Sequence, residues 1–185
     1  MAIFYTRKGD DGDTGLLGEG RIPKFDLRME ALGSIDEANA IFGICRSTVG
    51  SAELSPILLQ IQRDLYALMS EVAATPENAT RFHSIDQLKV GWIENKIDEL
   101  SKLVDLPKEF IIPGDHYSSA LLDQARTVVR RAERRVVELL ARGDIENWDL
   151  EKYLNRLSSL CFVMELVENR ARGTPKPTRA KDSNS

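Results

Sequence analysis

The fold is constrained most by a stripe of apolar residues in the first half of the chain. Apolar side chains recur there at alternating spacings of four and three residues, at Leu54, Leu58, Ile61, Leu65, Leu68 and Val72. An α-helix turns once in about 3.6 residues, so this spacing places the whole stripe on one helix face. Such a stripe packs against other helices, and the chain must therefore supply partner helices.

Other segments carry the same helical spacing. The stripe from Leu54 to Val72 forms the second predicted helix, and a first is predicted over residues 27–49. A third is predicted over about 84–104 with Ser84 as its N-cap, a fourth that ends at Gly143, and a fifth from about Trp148 that ends before Gly173. The side chains expected to face the core in the third helix are Ile85, Leu88, Trp92, Ile97 and Leu100. No segment alternates as a β-strand does. We predict an all-α, up-and-down bundle of five helices.

Length and composition indicate one domain. The chain has 185 residues, of which 42% are hydrophobic and 29% charged, and we expect a single domain over residues 1–173, with residues 1–26 as an N-terminal loop. The polar residues 174–185 are expected to form a disordered tail. A net charge of −4 argues against a general nucleic-acid binder.

The sequence also indicates the compartment. It shows neither a leader-like apolar run nor a membrane-spanning one, so we expect a cytoplasmic protein. Cys45 and Cys161 lie among apolar residues of helical segments, which predicts buried, reduced thiols.

The segment over residues 6–24 differs from the rest of the chain, because it holds five of the twelve glycines together with four basic residues. Glycine lets backbone N–H groups approach an anion, and Lys or Arg supplies the opposite charge. This composition fits a phosphate-binding loop, and it fits a flexible N-terminus equally well. A Walker A motif is absent, so the class of nucleotide binder stays open at this point.

The fourth predicted helix is rich in arginine. Within ten residues, on both edges of an apolar stripe, lie Arg126, Arg130, Arg131, Glu133, Arg134 and Arg135. Arginine at the edge of a packed face binds carboxylate or phosphate strongly. A solvated helix face, with Glu133 pairing to its neighbours, is the alternative interpretation.

Three further positions are candidates for binding. Asp36 and Asn155 each follow a core residue and so lie at the edge of an apolar face, where each can meet a ligand or a neighbouring polar group. Phe110 lies in an apolar connector, where it packs between helices or forms the wall of a pocket. Zinc-ligand spacing and the motifs of hydrolases are absent, and we expect no metal held by the chain alone.

Taken in order, several segments resemble the PduO-type ATP:cob(I)alamin adenosyltransferases over about residues 4–165. These segments are residues 6–15, 20–24, 31–37, 125–137 and 153–158. The resemblance implies a homotrimer of five-helix bundles with active sites between subunits. It implies transfer of the 5′-deoxyadenosyl group of ATP to the Co(I) of a corrinoid, with release of triphosphate. Because Co(I) is itself the nucleophile, no side-chain nucleophile is needed.

The resemblance also implies the residues of the site. With Mg²⁺ bridging phosphate oxygens, the ATP site would comprise Thr6, Arg7, Lys8, Gly9, Thr14, Gly15, Lys24, Arg130, Arg131, Glu133, Arg134 and Asn155. Phe110 would cover the lower face of the corrin and leave cobalt four-coordinate. Asp36 and Arg126 would pair across the subunit interface beside the corrin. Cob(I)alamin would be the second substrate. A cob(II)alamin reductase and a cobalamin-dependent acceptor enzyme are possible partners. We expect no binding to nucleic acid or membrane.

Three positions depart from the family pattern. Lys8 stands where threonine is common, Asp115 stands where a second glycine is common after Pro113-Gly114, and Ser159 stands where aspartate is frequent. Two functions outside the enzyme class stay open on sequence alone. One is a non-catalytic carrier or regulatory module that binds ATP or cobalamin, and the other is a purely structural helical bundle.

Overall fold

The computed structural model describes residue 5 and residues 7–181. The described residues form two short strands and six α-helices: β1 Asp13–Gly15, β2 Arg21–Pro23, α1 Leu27–Thr48, α2 Leu54–Ala73, α3 Ala79–Phe82, α4 Gln87–Ser101, α5 Tyr117–Arg142 and α6 Asp149–Ala171. A 3-10 turn, Pro76–Asn78, precedes α3. No helix in this part of the chain is long and apolar enough to cross a membrane.

The predicted helical class is confirmed, but the predicted number of helices is one too low. The five long helices match the predicted segments, and the additional helix is α3, which has only four residues. A helix of one turn is too short to show an apolar stripe, so spacing alone missed it. The expectation that the chain has no strands is also wrong, because β1 and β2 pair as an antiparallel hairpin.

The start of α4 differs from the prediction. Asp86, and not Ser84, is the N-cap, and its carboxylate accepts a hydrogen bond from the Lys89 N–H at 3.0 Å. The Ser84 hydroxyl instead donates to the Ala67 carbonyl oxygen of α2 at 3.1 Å. Leu88, expected in the core, is 82% exposed, because it lies about 150° around the helix from the buried Val90 and Ile93. The fully buried side chains of α4 are Val90, Ile93 and Leu100.

The predicted apolar stripes of the other long helices form the core. The α2 stripe is completely buried, as are the inward residues of α6, namely Leu150, Leu154, Leu157, Cys161 and Met164. Cys45 and Cys161 are free and buried, as predicted, and burial raises the pKa of Cys45 to about 12.

Helix packing places α5 between α1 and α6, with α2 on α1 and α4 on α6. Ion pairs of Arg131 with Glu37, and of Arg135 with Glu30 at 3.9 Å, show that α1 and α5 run antiparallel. The buried Asp64 of α2 closes the bundle, because it accepts hydrogen bonds from Lys89 of α4 at 2.8 Å and from the Tyr153 hydroxyl of α6 at 3.1 Å.

The C-terminal segment contacts the loop that precedes α5. Residues 174–181, which the composition predicts to be disordered, run back along the loop between α4 and α5, where Arg179 forms an antiparallel bridge with Ile111. Its contacts combine backbone hydrogen bonds with side-chain ones, and residues 182–185 of the predicted tail lie outside the described residues.

Candidate functional site

The glycine-rich segment folds as a hairpin ahead of α1. Thr14 and Gly15, both predicted for the ATP site, lie in β1, and Gly15 is opposite Arg21 of β2. The Lys24 N–H donates to the Gly12 carbonyl oxygen at 2.9 Å, and Gly12 has a φ of 92°, which favours glycine. The segment is therefore a defined loop with its own hydrogen bonds.

Arg21 holds the base of this hairpin together. Its guanidinium donates to both carboxylate oxygens of Asp11 at 2.7 Å, to the Asp13 carbonyl oxygen at 3.0 Å, and to the carbonyl oxygen of Lys8. The hydrogen bonds from Arg21, and then from the Asp13 backbone, lower the pKa of Asp11 to about 2. Arg21 was not among the predicted site residues, because a contact between side chains ten residues apart leaves no sequence signal.

Cationic side chains surround Gly9. The Lys24 ammonium donates to the Gly9 carbonyl oxygen at 2.5 Å, and a Cβ at residue 9 would lie 3.1 Å from the Lys24 Nζ. Arg7 has a φ of 61°, and its guanidinium lies 5.5 Å from the centre of the Tyr5 ring. The structure thus brings Arg7, Gly9 and Lys24 into one loop, whereas Thr6 lies outside the described residues.

Leu17 ties the hairpin to the end of α2. Its N–H donates to the Ala73 carbonyl oxygen at 2.9 Å, and its carbonyl oxygen accepts from the Thr75 N–H at 3.3 Å. At the next residue, Gly18, a Cβ would lie 2.1 Å from the Thr75 hydroxyl oxygen, so only glycine fits. The hairpin is therefore held in a set position on the bundle.

The arginines of α5 divide into paired and unpaired residues. Arg131 forms an ion pair with Glu37 of α1. Arg130 and Arg134 are exposed, and neither forms an ion pair within the part of the chain that is described. Four residues apart on one helix, they share a face. Two guanidinium groups without carboxylate partners keep their full charge for an anion.

Glu133 and Asn155 join α5 to α6 beside these arginines. The Asn155 side-chain amide donates to Glu133 Oε1 at 2.8 Å, and Arg156 donates to Asn155 Oδ1 at 2.9 Å. Glu133 lies three residues after Arg130 and one before Arg134. Helical spacing therefore places the Glu133–Asn155 pair next to the unpaired cations, as the assignment of all four to one site requires.

No hydrogen bond or ion pair joins the three residues assigned to the corrin side among the described residues of one protomer. Arg126 donates to the Asp123 carboxylate at 2.7 Å, and Asp36 is exposed with no ion pair among the described residues. Phe110 is 89% exposed in the loop between α4 and α5. The pairing of Asp36 with Arg126 across subunits stays a prediction.

A cavity of about 520 Å³ lies between the end of α2 and the turn from α5 to α6. None of the predicted site residues lines it. Its buried carboxylate, Glu71, accepts from the Asn147 amide at 2.6 Å and the Ser84 N–H at 3.0 Å, and lies 3.2 Å from the His83 ring. Glu71 is therefore satisfied by hydrogen bonds within the protein.

Known proteins are similar to this chain over nearly its whole length. A family model described as cobalamin adenosyltransferase matches residues 4–168. A corrinoid adenosyltransferase of Citrobacter freundii is 36% identical over 169 residues, which cover 91% of this chain and 96% of the relative. One of Bacillus subtilis is 38% identical over 174 residues, which cover 92% of this chain and 88% of the relative.

Solved structures show the same similarity. A phenylalanine-to-alanine variant of a PduO-type ATP:corrinoid adenosyltransferase from Lactobacillus reuteri, complexed with cobalamin and ATP, has a TM-score of 0.87 at 32% identity, covering 97% of this chain and 100% of that one. An arginine-to-lysine variant complexed with ATP has a TM-score of 0.87 at 30% identity, covering 96% and 100%.

Proposed function

This chain belongs to the cobalamin adenosyltransferase family, and we propose that it transfers the 5′-deoxyadenosyl group of ATP to the Co(I) of a corrinoid, giving adenosylcobalamin and triphosphate. It is accordingly a transferase. The observation that carries the proposal is the unpaired state of Arg130 and Arg134 in a chain that also folds a cationic, glycine-rich hairpin. Both features suit a polyphosphate.

No protein side chain needs to form a covalent bond in this reaction. The lone pair of Co(I) attacks C5′ of ATP, a Co–C bond forms, the C5′–O bond breaks, and its electron pair leaves on the triphosphate. The nucleophile comes with the substrate. What the protein supplies is alignment of cobalt with C5′ and stabilisation of charge on the leaving oxygen.

The triphosphate is assigned to the cations of the hairpin and of α5. Lys24 already directs its ammonium at the loop backbone around Gly9, where a phosphate oxygen can take a share of that charge. Arg130 and Arg134 supply guanidinium groups from the helix, and Asn155 fixes Glu133 between them. The full ATP assignment is Thr6, Arg7, Lys8, Gly9, Thr14, Gly15, Lys24, Arg130, Arg131, Glu133, Arg134 and Asn155.

Mg²⁺ fits this site as a partner of ATP. Among the described residues there is no group of three or more His, Cys, Asp or Glu side chains that could hold a metal ion. In nucleotide sites Mg²⁺ binds chiefly to phosphate oxygens, with at most one or two protein carboxylates, so a dedicated cage is not required.

The corrin side is assigned to Phe110, Asp36 and Arg126. Phe110 is the one Phe, Trp or Tyr residue of the α4–α5 loop, and at 89% exposure its ring is accessible to a ligand. On the lower face of the corrin, the Phe110 ring would exclude the axial ligand and leave cobalt four-coordinate. Four-coordinate Co(II) is easier to reduce to Co(I) than Co(II) that keeps an axial ligand. Arg126 and Asp36 would pair between subunits beside it.

We place the active sites between the subunits of a homotrimer. The support is that Arg130, Arg134 and Asp36 are charged, exposed and without ion-pair partners among the described residues of their own protomer. The reaction also requires a reductase that supplies Co(I) and a cobalamin-dependent enzyme that takes the product. Co(I) persists only in a reducing compartment, such as the cytoplasm. Nucleic acid and membrane have no role in this reaction.

One anaerobic experiment tests the function. The protein is mixed with ATP, Mg²⁺ and chemically reduced cobalamin, and the absorbance spectrum is followed for a light-sensitive Co–C bond. We expect that bond to form with turnover. Stoichiometric binding of ATP and cobalamin without turnover would favour the carrier function, and failure to bind either by a folded protein would favour a structural role.

A further inference from the structure

The last described residues form a strap along the loop that carries Phe110. Residues 178–180 run antiparallel to residues 110–112: the Ile112 N–H donates to the Thr178 carbonyl oxygen at 2.8 Å, and the Ala180 N–H donates to the Phe110 carbonyl oxygen at 2.8 Å. Between these two bonds, Arg179 bridges Ile111. The backbone of Phe110 is thus held directly by the C-terminal strap.

Asp115 and Thr178 form a latch for this strap. Asp115 Oδ1 accepts from the Thr178 hydroxyl at 2.7 Å, and Oδ2 accepts from the Thr178 N–H at 3.0 Å. Both carboxylate oxygens of Asp115 therefore bind one residue of the strap, and a residue without a side-chain acceptor at position 115 would remove both hydrogen bonds.

Two further contacts keep the strap close to the loop. The Thr174 hydroxyl lies 2.8 Å from His116 Nε2, and Arg179 lies 3.6 Å from the Glu109 carboxylate. Pro175 and Pro177 lie between these two points and restrict the backbone of the strap. An isolated two-stranded pairing is only marginally stable in water. The fraction of molecules in which the strap is paired with the loop therefore depends on the latch.

We propose that the Asp115–Thr178 latch is a positioning device for Phe110, by which the C-terminal strap sets how the enzyme handles its corrinoid. This inference rests on the proposed function, because Phe110 is assigned there to the lower face of the corrin. The hydrogen bonds that hold the strap go to the loop of Phe110, so we expect its effect to fall on the corrinoid substrate and not on ATP. Asp115 and Thr178 are positioning residues, not catalytic ones.

The first measurement reports on the strap itself. Trypsin cleaves after Arg179 only when the strap leaves the loop, and the products are identified by intact mass. In Asp115→Ala and Thr178→Val we expect cleavage at this bond to be about tenfold faster than in the wild type, as loss of hydrogen bonds to a carboxylate implies. Thr80→Val, which replaces an exposed threonine away from the strap, is the control and should match the wild type.

The second measurement reports on the corrinoid. In Asp115→Ala and Thr178→Val we expect the KM for cobalamin to rise several-fold, and the electron paramagnetic resonance signal of four-coordinate cob(II)alamin to weaken, while the KM for ATP stays within about twofold. Circular dichroism establishes that each variant is folded. Asp115→Asn, which keeps one acceptor oxygen, should lie between Asp115→Ala and the wild type in both measurements.

The outcomes separate the inference from the function on which it rests. Rapid cleavage at Arg179 in an active wild-type enzyme would overturn the latch alone. Faster cleavage in the variants with unchanged cobalamin parameters would overturn the positioning role. A wild type that protects Arg179 but never forms a Co–C bond would overturn the proposed function, and with it the assignment of the strap to corrinoid handling.

Discussion

Asn155 of α6 donates its side-chain amide to the carboxylate of Glu133 on α5 at 2.8 Å, and neither Arg130 nor Arg134 of the same helix has an ion-pair partner among the described residues. Glu133 lies three residues after Arg130, a spacing at which a carboxylate and an arginine on one helix can pair. Because Asn155 engages Glu133 from the neighbouring helix, Arg130 and Arg134 are left available for a ligand.

Replacing Asn155 with alanine should therefore weaken ATP use without unfolding the protein. Glu133 would lose its partner and turn toward Arg130 or Arg134, competing with phosphate for their charge. We expect kcat/KM for ATP to fall about tenfold, with KM for cobalamin unchanged. Steady-state kinetics with each substrate varied in turn measures this. An equal loss for both substrates would contradict the role given to Asn155.

Arg130→Ala should have a larger effect, confined mainly to ATP. Loss of a preorganised cation at a developing negative charge typically slows a reaction about 100-fold or more, so kcat/KM for ATP should fall by that order. Arg130→Lys, which keeps the charge but not the planar fork, should recover part of the loss. Arg46→Ala, at an exposed arginine in the last turn of α1, is the matched control. Unchanged ATP kinetics in Arg130→Ala would refute the assignment.

Asp36 and Arg126 should be coupled through assembly. If they pair between subunits, Asp36→Ala and Arg126→Ala should each raise the trimer dissociation constant, about tenfold, and raise the KM for cobalamin. The double charge reversal, Asp36→Arg with Arg126→Asp, should restore part of both losses. Sedimentation velocity over a range of concentrations follows the assembly. Because Arg126 also pairs with Asp123 in its own protomer, a loss in Arg126→Ala that the reversal never restores would point to the Asp123 contact alone.

Glu165 should make stability depend on pH. It is buried in α6 with neither carboxylate oxygen hydrogen-bonded among the described residues, and burial, reinforced by Asp123 and opposed by Arg126, raises its pKa from 4.5 to about 8. The folded chain then keeps a proton that the unfolded chain loses, so the contribution of Glu165 to stability falls as pH rises from 4.5 to about 8.

The variant Glu165→Gln keeps the shape of the protonated acid and removes its titration. Near pH 8 we expect its free energy of unfolding to exceed that of the wild type by roughly 1–3 kcal/mol. Near pH 5 we expect a much smaller difference. Chemical denaturation followed by circular dichroism at both pH values measures the difference. A stability difference that is the same at both pH values would show that Glu165 is already ionised in the fold.

The long helices could be predicted from the sequence because their apolar spacing reports directly on burial. Every residue of the α2 stripe is completely buried. Leu88 matched the predicted stripe but is exposed, because the face of α4 that packs carries Val90 and Ile93 and lies on the other side of the helix. Spacing identifies a helix more reliably than its first turn.

The site could be predicted only in part, and for a different reason. Arg130, Glu133 and Arg134 share a face by helical spacing, whereas the partner of Glu133 depends on how α5 and α6 align, which spacing does not encode. Arg21 and Asp115 were missed as structural residues, because each acts through a partner brought near by a turn of the chain. Contacts of that kind follow from the fold and leave no local pattern.

The tie between Leu17 and the end of α2 implies that the hairpin and the last turn of that helix melt as one unit. Local fraying of helix ends precedes global unfolding, and here it would release the loop that is assigned to the nucleotide. On gentle heating, affinity for ATP should therefore decline while the helical signal is still intact. The temperature limit of the enzyme would then be set at a loop junction of a few residues, well below the temperature at which its core comes apart.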